Sequence, residues 1–214
     1  MVVHEWPVVS GQDLSRALIS QVAAIHHSEL SGGFLSSLGL PVLETIFLFA
    51  RDSRHGDLIA ALDQANERVA GFVLGSIDPG QFFREFLKSR FFAALRVFAP
   101  RLLSVRRLRR AAETLLYPHK RPRIALPQAE LFDLAVSREY QRKGCGQAIF
   151  RAFVEVMRAR GISRFRISSG EGLAGAHAFY ESMGASKAGE FELHRGEKTL
   201  VYVYRIHNEG LSER

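Results

Sequence analysis

Between Arg138 and Phe153 the chain reads REYQRKGCGQAIFRAF. Arg142 and Lys143 stand directly before Gly144-Cys145-Gly146, where a strand-like run gives way to a helical pattern. Glycines cost backbone entropy there, and neighbouring cations repel; an anion compensates for both. The first amides of a helix lack intrahelical partners and point outward at its positive end. Glycine lets a ligand come close to them, so the segment predicts a phosphate or pyrophosphate site. Two other phosphate loops fail on spacing. Gln147-Ala148 stand where a Walker loop needs Lys-Ser/Thr, and Ile149 where a dinucleotide fingerprint needs its third glycine. The plain structural alternative is a glycine-rich helix start with solvated arginines.

The elements that must hold this segment follow from composition and pattern. A chain of 214 residues, 47% hydrophobic and 24% charged, suits one globular domain over 1–214 with a sizeable core. A single cysteine excludes an internal disulfide and fits a reducing compartment. The most apolar stretch, PVLETIFLFA, is short and carries Glu44, and MVVHEWPVV lacks the layout of a signal peptide, so a cytoplasmic location is expected. The net charge of +7 is concentrated: residues 81–123 hold twelve Lys/Arg against Glu85 and Glu113, and the rest of the chain is slightly acidic. A nucleic-acid role would rest on that piece alone, and it is not expected.

Apolar spacing predicts a helix over 12–28 and a second over 34–50, bent or divided by Gly39 and Pro41. DLIAALDQ and RVAGFVLGSID read as a hairpin. Residues 81–117 are helical in pattern, broken at Pro100. AELFDLAV (129–136) reads as a central strand, followed by a helix from Gly144 to about Arg160 that buries Ile149, Phe150, Phe153, Val156 and Met157. SRFRIS is a strand, AGAHAFYESMG a short helix, and GEFELHR with KTLVYVYRI a last hairpin around Gly196. The fold class is therefore mixed α/β: a central sheet flanked by helices, with a basic helical insertion at about 81–123 after the first hairpin.

LAVSREYQRKGCGQAIF resembles the acyl-CoA-binding motif of the GNAT superfamily of N-acetyltransferases, Q/R-x-x-G-x-G/A after a strand, through Gln141, Gly144 and Gly146. AGAHAFYESMGA resembles the same family's A-x-x-F-Y-x-x-x-G-F segment through Ala176, Phe179, Tyr180 and Gly184. The resemblance is clear from about 125 to 206 and looser from 10 to 80. It implies acetyl-CoA as co-substrate, no metal, and a small-molecule primary amine as acceptor. Backbone amides of Arg142, Lys143, Gly144, Cys145 and Gly146, with Gln141, would hold the pyrophosphate. The strand edge at Leu134, Ala135 and Val136 would open to pair with the pantetheine arm, and the N–H near Val136 would polarise the thioester carbonyl.

Acetyl transfer needs an amine stripped of its proton and a leaving thiolate given one. Some family members place a glutamate base six residues before the valine matched by Val136, which is Glu130. Simple alternation puts Glu130 on the face of Phe132, Leu134 and Val136, and Asp133 on the other. Asp133 is the alternative base if a bulge changes the face. Tyr180 matches the family's general acid. The eight histidines are scattered without ligand spacing for a metal. His26 and His27 must face different ways on a helix, and His177 is expected at the surface. Cys145 is expected to be a small filler rather than a nucleophile.

Two departures stand out: Leu173 occupies a place where the family often has Asn, and Ala185 one where Phe is common. Leu173 puts a pantetheine contact in question and keeps a second reading open, a non-catalytic acyl-CoA-binding module. The insertion is expected to pack on the core with its cations near the acceptor, favouring an anionic or sugar-linked amine. A peripheral membrane contact through 81–117 stays open beside it.

Overall fold

In the computed structural model, residues 6–98, 126–194 and 197–207 are described. The elements are β1 (Val8–Ser10), α1 (Arg16–Glu29), α2 (Leu40–Asp52), β2 (Gly56–Asp63), β3 (Arg68–Ser76) and α3 (Pro79–Phe98). After them come β4 (Glu130–Val136), α4 (Cys145–Ala159), β5 (Arg164–Gly170), α5 (Ala174–Ser182), β6 (Ser186–His194) and β7 (Glu197–Arg205). The seven strands form one sheet in the order β1-β2-β3-β4-β5-β7-β6. Every neighbouring pair is antiparallel except β4 and β5.

Each face of the sheet buries its own core. On one side α1 and α2 pack Ile19, Val22, Leu43 and Phe47 against Leu58, Phe72 and Ala135. On the other, α4 packs Ile149, Phe150, Phe153 and Met157 against Val73, Leu131, Phe165 and Ile167. The expected α4 residues are buried apart from Val156, which is half-buried; Val154 takes the deeper place. Arg158 and Arg160 close the helix and Gly161 follows at φ 74°, the left-handed exit that glycine supplies.

The first helix begins later than its apolar spacing suggests. Gly11–Asp13 form one 3-10 turn, and α1 starts only after Ser15, whose hydroxyl accepts the Leu18 N–H at 3.3 Å. Gly39, at φ 87°, divides the second apolar run, and Pro41 sits in the first turn of α2, where its missing N–H costs nothing.

The expected alternation of β4 fails at one residue. Leu74 lies opposite Asp133 and Gly75 opposite Leu131, so Phe132 is an extra, bulged residue. Beyond it, Leu134 and Val136 pack on the α4 side, while Phe132 and Ala135 pack on the α1–α2 side. Glu130, Phe132, Leu134 and Val136 therefore do not share a face. Strand β3 presses hard at this point: a Cβ on Gly75 would fall 2.4 Å from Phe153 and 2.7 Å from the Glu130 carbonyl.

Of the insertion, α3 is described to Phe98. Phe82 and Phe86 are buried against Phe49, and Phe83 meets Phe132 at 5.6 Å. The break at Pro100 and the basic run that follows lie outside the described residues, as does Gly196 in the last hairpin. No helix among the described residues is long and apolar enough to cross a membrane.

Candidate active site: a cleft where the sheet splits

Strands β4 and β5 pair only at Glu130 with Arg166 and Leu131 with Ile167. Past Leu131 they part, and the gap opens into a cleft of about 880 Å³. The free edge of β4 follows from its other pairing. Ser137 donates its N–H to Ala70 at 2.9 Å and Val136 faces Gly71, so ladder alternation turns the main-chain groups of Leu134 and Val136 toward the gap. Gln141 meets one of them there, its Nε2 donating to the Val136 carbonyl at 2.9 Å.

Seven of the nine predicted binding residues and the predicted acid Tyr180 converge on this cleft from three elements. Leu134, Ala135 and Val136 line it from β4; Gln141, Arg142, Gly144 and Gly146 from the loop and first turn of α4; Tyr180 from α5. Arg142 and Gly144 both take left-handed backbone, φ 58° and 82°. That shape curls the chain and turns successive N–H groups into a concave nest at the positive end of α4. Gly144 caps the helix, its carbonyl accepting from Ala148 at 3.0 Å, which leaves the amides of residues 145–147 without intrahelical acceptors. Gly146 faces Phe179 and Val136, the walls between which a ligand would pass.

Lys143 and Cys145, also expected in the site, do not line the cleft. The Lys143 ammonium sits 5.9 Å from the Tyr140 ring centre, and its carbonyl accepts from the Trp6 indole at 2.9 Å. Cys145 is 1% exposed, and burial pushes its thiol up to about 12, so the helix dipole does not activate it.

The two carboxylates of β4 have different surroundings. Glu130 is buried; its Oε2 accepts from Arg166 Nη2 at 2.7 Å and Nε at 3.0 Å, and its Oε1 accepts from Ser168 at 2.8 Å. Neither it nor Asp133 lines the cleft. Asp133, beside the bulge, keeps a partly exposed side chain with Oδ1 3.7 Å from His26 Nε2. Tyr180 is buried, and burial, then the Asp133 charge, holds its phenol well above the ordinary tyrosine range. The phenol is a neutral donor at any physiological pH.

Two further residues of the cleft stand out, of which only Leu173 is marked by the sequence. Leu173, at the start of α5, projects into the cleft as an exposed apolar side chain where an amide was the family expectation. Glu29 ends α1, a place where the helix dipole disfavours an anion. Its partners explain it: Oε1 accepts the Arg138 N–H at 3.3 Å and Oε2 the Gln141 amide at 3.1 Å. His177, expected at the surface, is half-buried; Nε2 meets the Gly170 carbonyl at 2.9 Å and Nδ1 the Tyr202 hydroxyl at 3.2 Å. Among the described residues there is no cluster of three or more metal-ligating side chains.

A family model for the acetyltransferase (GNAT) family matches residues 25–185, from the end of α1 through α5. The chain belongs to the GNAT family of acetyltransferases. A curated relative, the [ribosomal protein bS18]-alanine N-acetyltransferase of Escherichia coli K12, is 34% identical over 65 residues, 30% of this chain and 44% of that one. N-acetyltransferase family 8 member 3 of Rattus norvegicus is 35% identical over 94 residues, 44% of this chain and 38% of that protein. The match thus spans less than half the length of either relative. Solved GNAT structures share the fold end to end. A GNAT acetyltransferase from Desulfovibrio desulfuricans aligns at TM-score 0.61 and 14% identity, over 95% of this chain and 100% of that one. The Thermoplasma acidophilum PaiA N-acetyltransferase, crystallised with coenzyme A, aligns at 0.58 and 11% identity, over 94% and 99%.

Proposed function

We propose that the chain transfers an acetyl group from acetyl-CoA to a primary amine of a small molecule, by direct attack of the amine on the thioester. The observation that carries the reading is the split: β4 loses β5 after Leu131 and leaves the Leu134 and Val136 main chain facing the cleft, directly before the amide nest of α4. The nest takes the pyrophosphate, the parted strand takes the pantetheine arm, and the Val136 N–H polarises the thioester carbonyl.

The amine lone pair attacks the carbonyl carbon, the tetrahedral intermediate collapses, the C–S bond breaks, and coenzyme A leaves as the thiol. The departing sulfur takes its proton from Tyr180, and the surplus proton of the acylated nitrogen is released to restore the phenol. A phenol raised by burial is a weaker acid than in water, but a thiolate in the same dry gap is a stronger base. For the ammonium proton we assign Asp133 rather than Glu130. Three donors from Arg166 and Ser168 occupy the Glu130 carboxylate, while Asp133 is partly exposed and its charge reaches Tyr180.

A protein N-terminus is the second reading, favoured by the relative that acetylates the alanine of ribosomal protein bS18. Incubation with acetyl-CoA and a panel of amines, amino sugars, phosphorylated amines and N-terminal peptides, followed by thiol release, tests both. Turnover with some amine that falls about 100-fold or more in Tyr180→Phe and Asp133→Asn supports the mechanism. Tight coenzyme A binding with no turnover on any acceptor would make the chain a binding module.

A further inference from the structure

We infer that His26 is a positioning residue for the transfer, holding the Asp133 carboxylate in the parted strand from behind; the inference rests on Asp133 as proton acceptor. His26 is 2% exposed, on the inner face of α1. Its ring lies in an aromatic slot, 5.7 Å from the Phe47 ring and stacked at 6.3 Å on Phe72. Those neighbours offer an imidazole no hydrogen bond, and a polar ring buried there is costly unless its nitrogens find partners. Nδ1 has one in Ser36, whose hydroxyl lies 3.1 Å away and 3.3 Å from the His26 carbonyl. Nε2 looks the other way, at Asp133 Oδ1, 3.7 Å off.

The geometry limits the useful protonation states. When Ser36 gives its proton to Nδ1, the neutral ring carries its own proton on Nε2, aimed at Asp133. When Ser36 donates to the carbonyl instead, Nδ1–H donates to Ser36, and only the imidazolium puts a proton toward Asp133 as well. Either arrangement favours one carboxylate orientation. At 3.7 Å the contact is electrostatic rather than a made hydrogen bond, the loose geometry expected before substrate tightens a site.

The chain of groups joins two parts of the site. Ser36 lies in the 3-10 turn Ser36–Leu38, in the segment between α1 and α2 whose first residue, Leu30, lines the cleft. Asp133 adjoins the bulge, where the extra residue turns its side chain toward α1. Ser36, His26 and Asp133 thus connect the α1–α2 segment to the reacting end of β4. His26 touches no substrate in this arrangement and acts through Asp133.

Amide side chains separate the two ring nitrogens. In His26→Asn the amide can replace Nδ1 but not reach Asp133; in His26→Gln it can stand where Nε2 does. His26→Asn is expected to lower kcat between about 10- and 100-fold with KM for acetyl-CoA unchanged, and His26→Gln to recover most of it. Coenzyme A affinity by calorimetry is expected to match wild type in both. The double variant His26→Asn/Asp133→Asn is expected to be no slower than Asp133→Asn alone, since the first acts through the second. Ser36→Ala, a milder cut, is expected to fall between wild type and His26→Asn, and it carries the test if His26→Asn folds poorly. Wild-type kcat in both His26→Asn and Ser36→Ala, or losses that multiply in the double variant, would overturn the positioning role alone. An unimpaired Asp133→Asn would overturn it together with the assignment of Asp133 as base.

Discussion

The Trp6 indole donates to the Lys143 carbonyl at 2.9 Å, across 137 residues of sequence. Trp6 is buried and meets the Tyr140 ring edge-on at 5.5 Å; Tyr140 in turn donates to Asp63 Oδ2 at 2.8 Å, at the end of β2. The loop from Tyr140 to Gly144 is thus pinned from outside by the segment before β1 and the β2–β3 turn. Its left-handed backbone at Arg142 is strained for a non-glycine residue and needs such support.

Trp6→Phe keeps the ring and removes the donor. It is expected to cost about 1 kcal/mol of stability and to weaken coenzyme A about threefold, with kcat on saturating acetyl-CoA unchanged. Thermal melts and calorimetry with coenzyme A check both parts. Unaltered affinity would mean that the nest holds its shape without the pin.

The two glycines of the mouth stand in different surroundings, and substitutions separate them. Gly144 sits at φ 82° with nothing within 4 Å of a would-be Cβ, so Gly144→Ala is expected to cost only the left-handed strain, about 1–2 kcal/mol. Gly146 has ordinary helical backbone and space for one methyl, with Phe179 at 3.5 Å and Val136 at 3.6 Å. Gly146→Ala is expected to bind coenzyme A within about threefold of wild type, while Gly146→Leu loses at least about tenfold without a lower melting temperature. Equal affinity in wild type and the leucine variant, by calorimetry, would place the ligand elsewhere.

Periodicity made much of this architecture legible. The β2–β3 hairpin, α4 and the β6–β7 pair appear close to where their patterns put them: α4 buries one helical stripe, and β2 and β3 are apolar runs buried on both faces and bounded by turn residues. Strand β1 was not legible: three residues paired to Ile59–Ala61 are too short for any period to show. Nor was the Phe132 bulge, which arises where β3 runs close under Phe153 at Gly75, a fact of the partner strand and of α4 rather than of β4. That one residue reassigns the faces of Glu130 and Asp133. Glu29 and Trp6 were out of reach for the same reason: their partners lie more than a hundred residues away.

Cys145 stands in the middle of the motif, and its chemistry is decided by burial. With the side chain 1% exposed and the thiol pushed up to about 12, essentially no thiolate exists at neutral pH. Folded protein is expected to leave a disulfide thiol reagent unreacted over minutes and to release one equivalent in guanidinium. Cys145→Ala is expected to retain coenzyme A affinity. Stoichiometric labelling of the native state would contradict the burial and reopen a nucleophilic role.

The far end of α4 makes a prediction of opposite electrostatic character. Asp57, on β2, is buried, with Oδ1 2.6 Å from Arg160 Nη2 and Oδ2 lacking a hydrogen-bond partner. Its carboxyl is raised from the ordinary 3.8, desolvation outweighing the pull of Arg160. The folded protein therefore holds this proton to a higher pH than the unfolded chain. The stabilisation from that proton is complete below the ordinary value and is lost as pH rises through the folded one. Asp57→Asn, which never ionises, is expected to match or exceed the wild-type melting temperature at pH 7, with the advantage shrinking toward pH 4. Arg160→Ala, which strands the buried carboxylate, is expected to destabilise at pH 7 by about 2–3 kcal/mol and to recover on acidification. A melting temperature for Asp57→Asn well below wild type at pH 7 would show that the ion pair, not desolvation, dominates there.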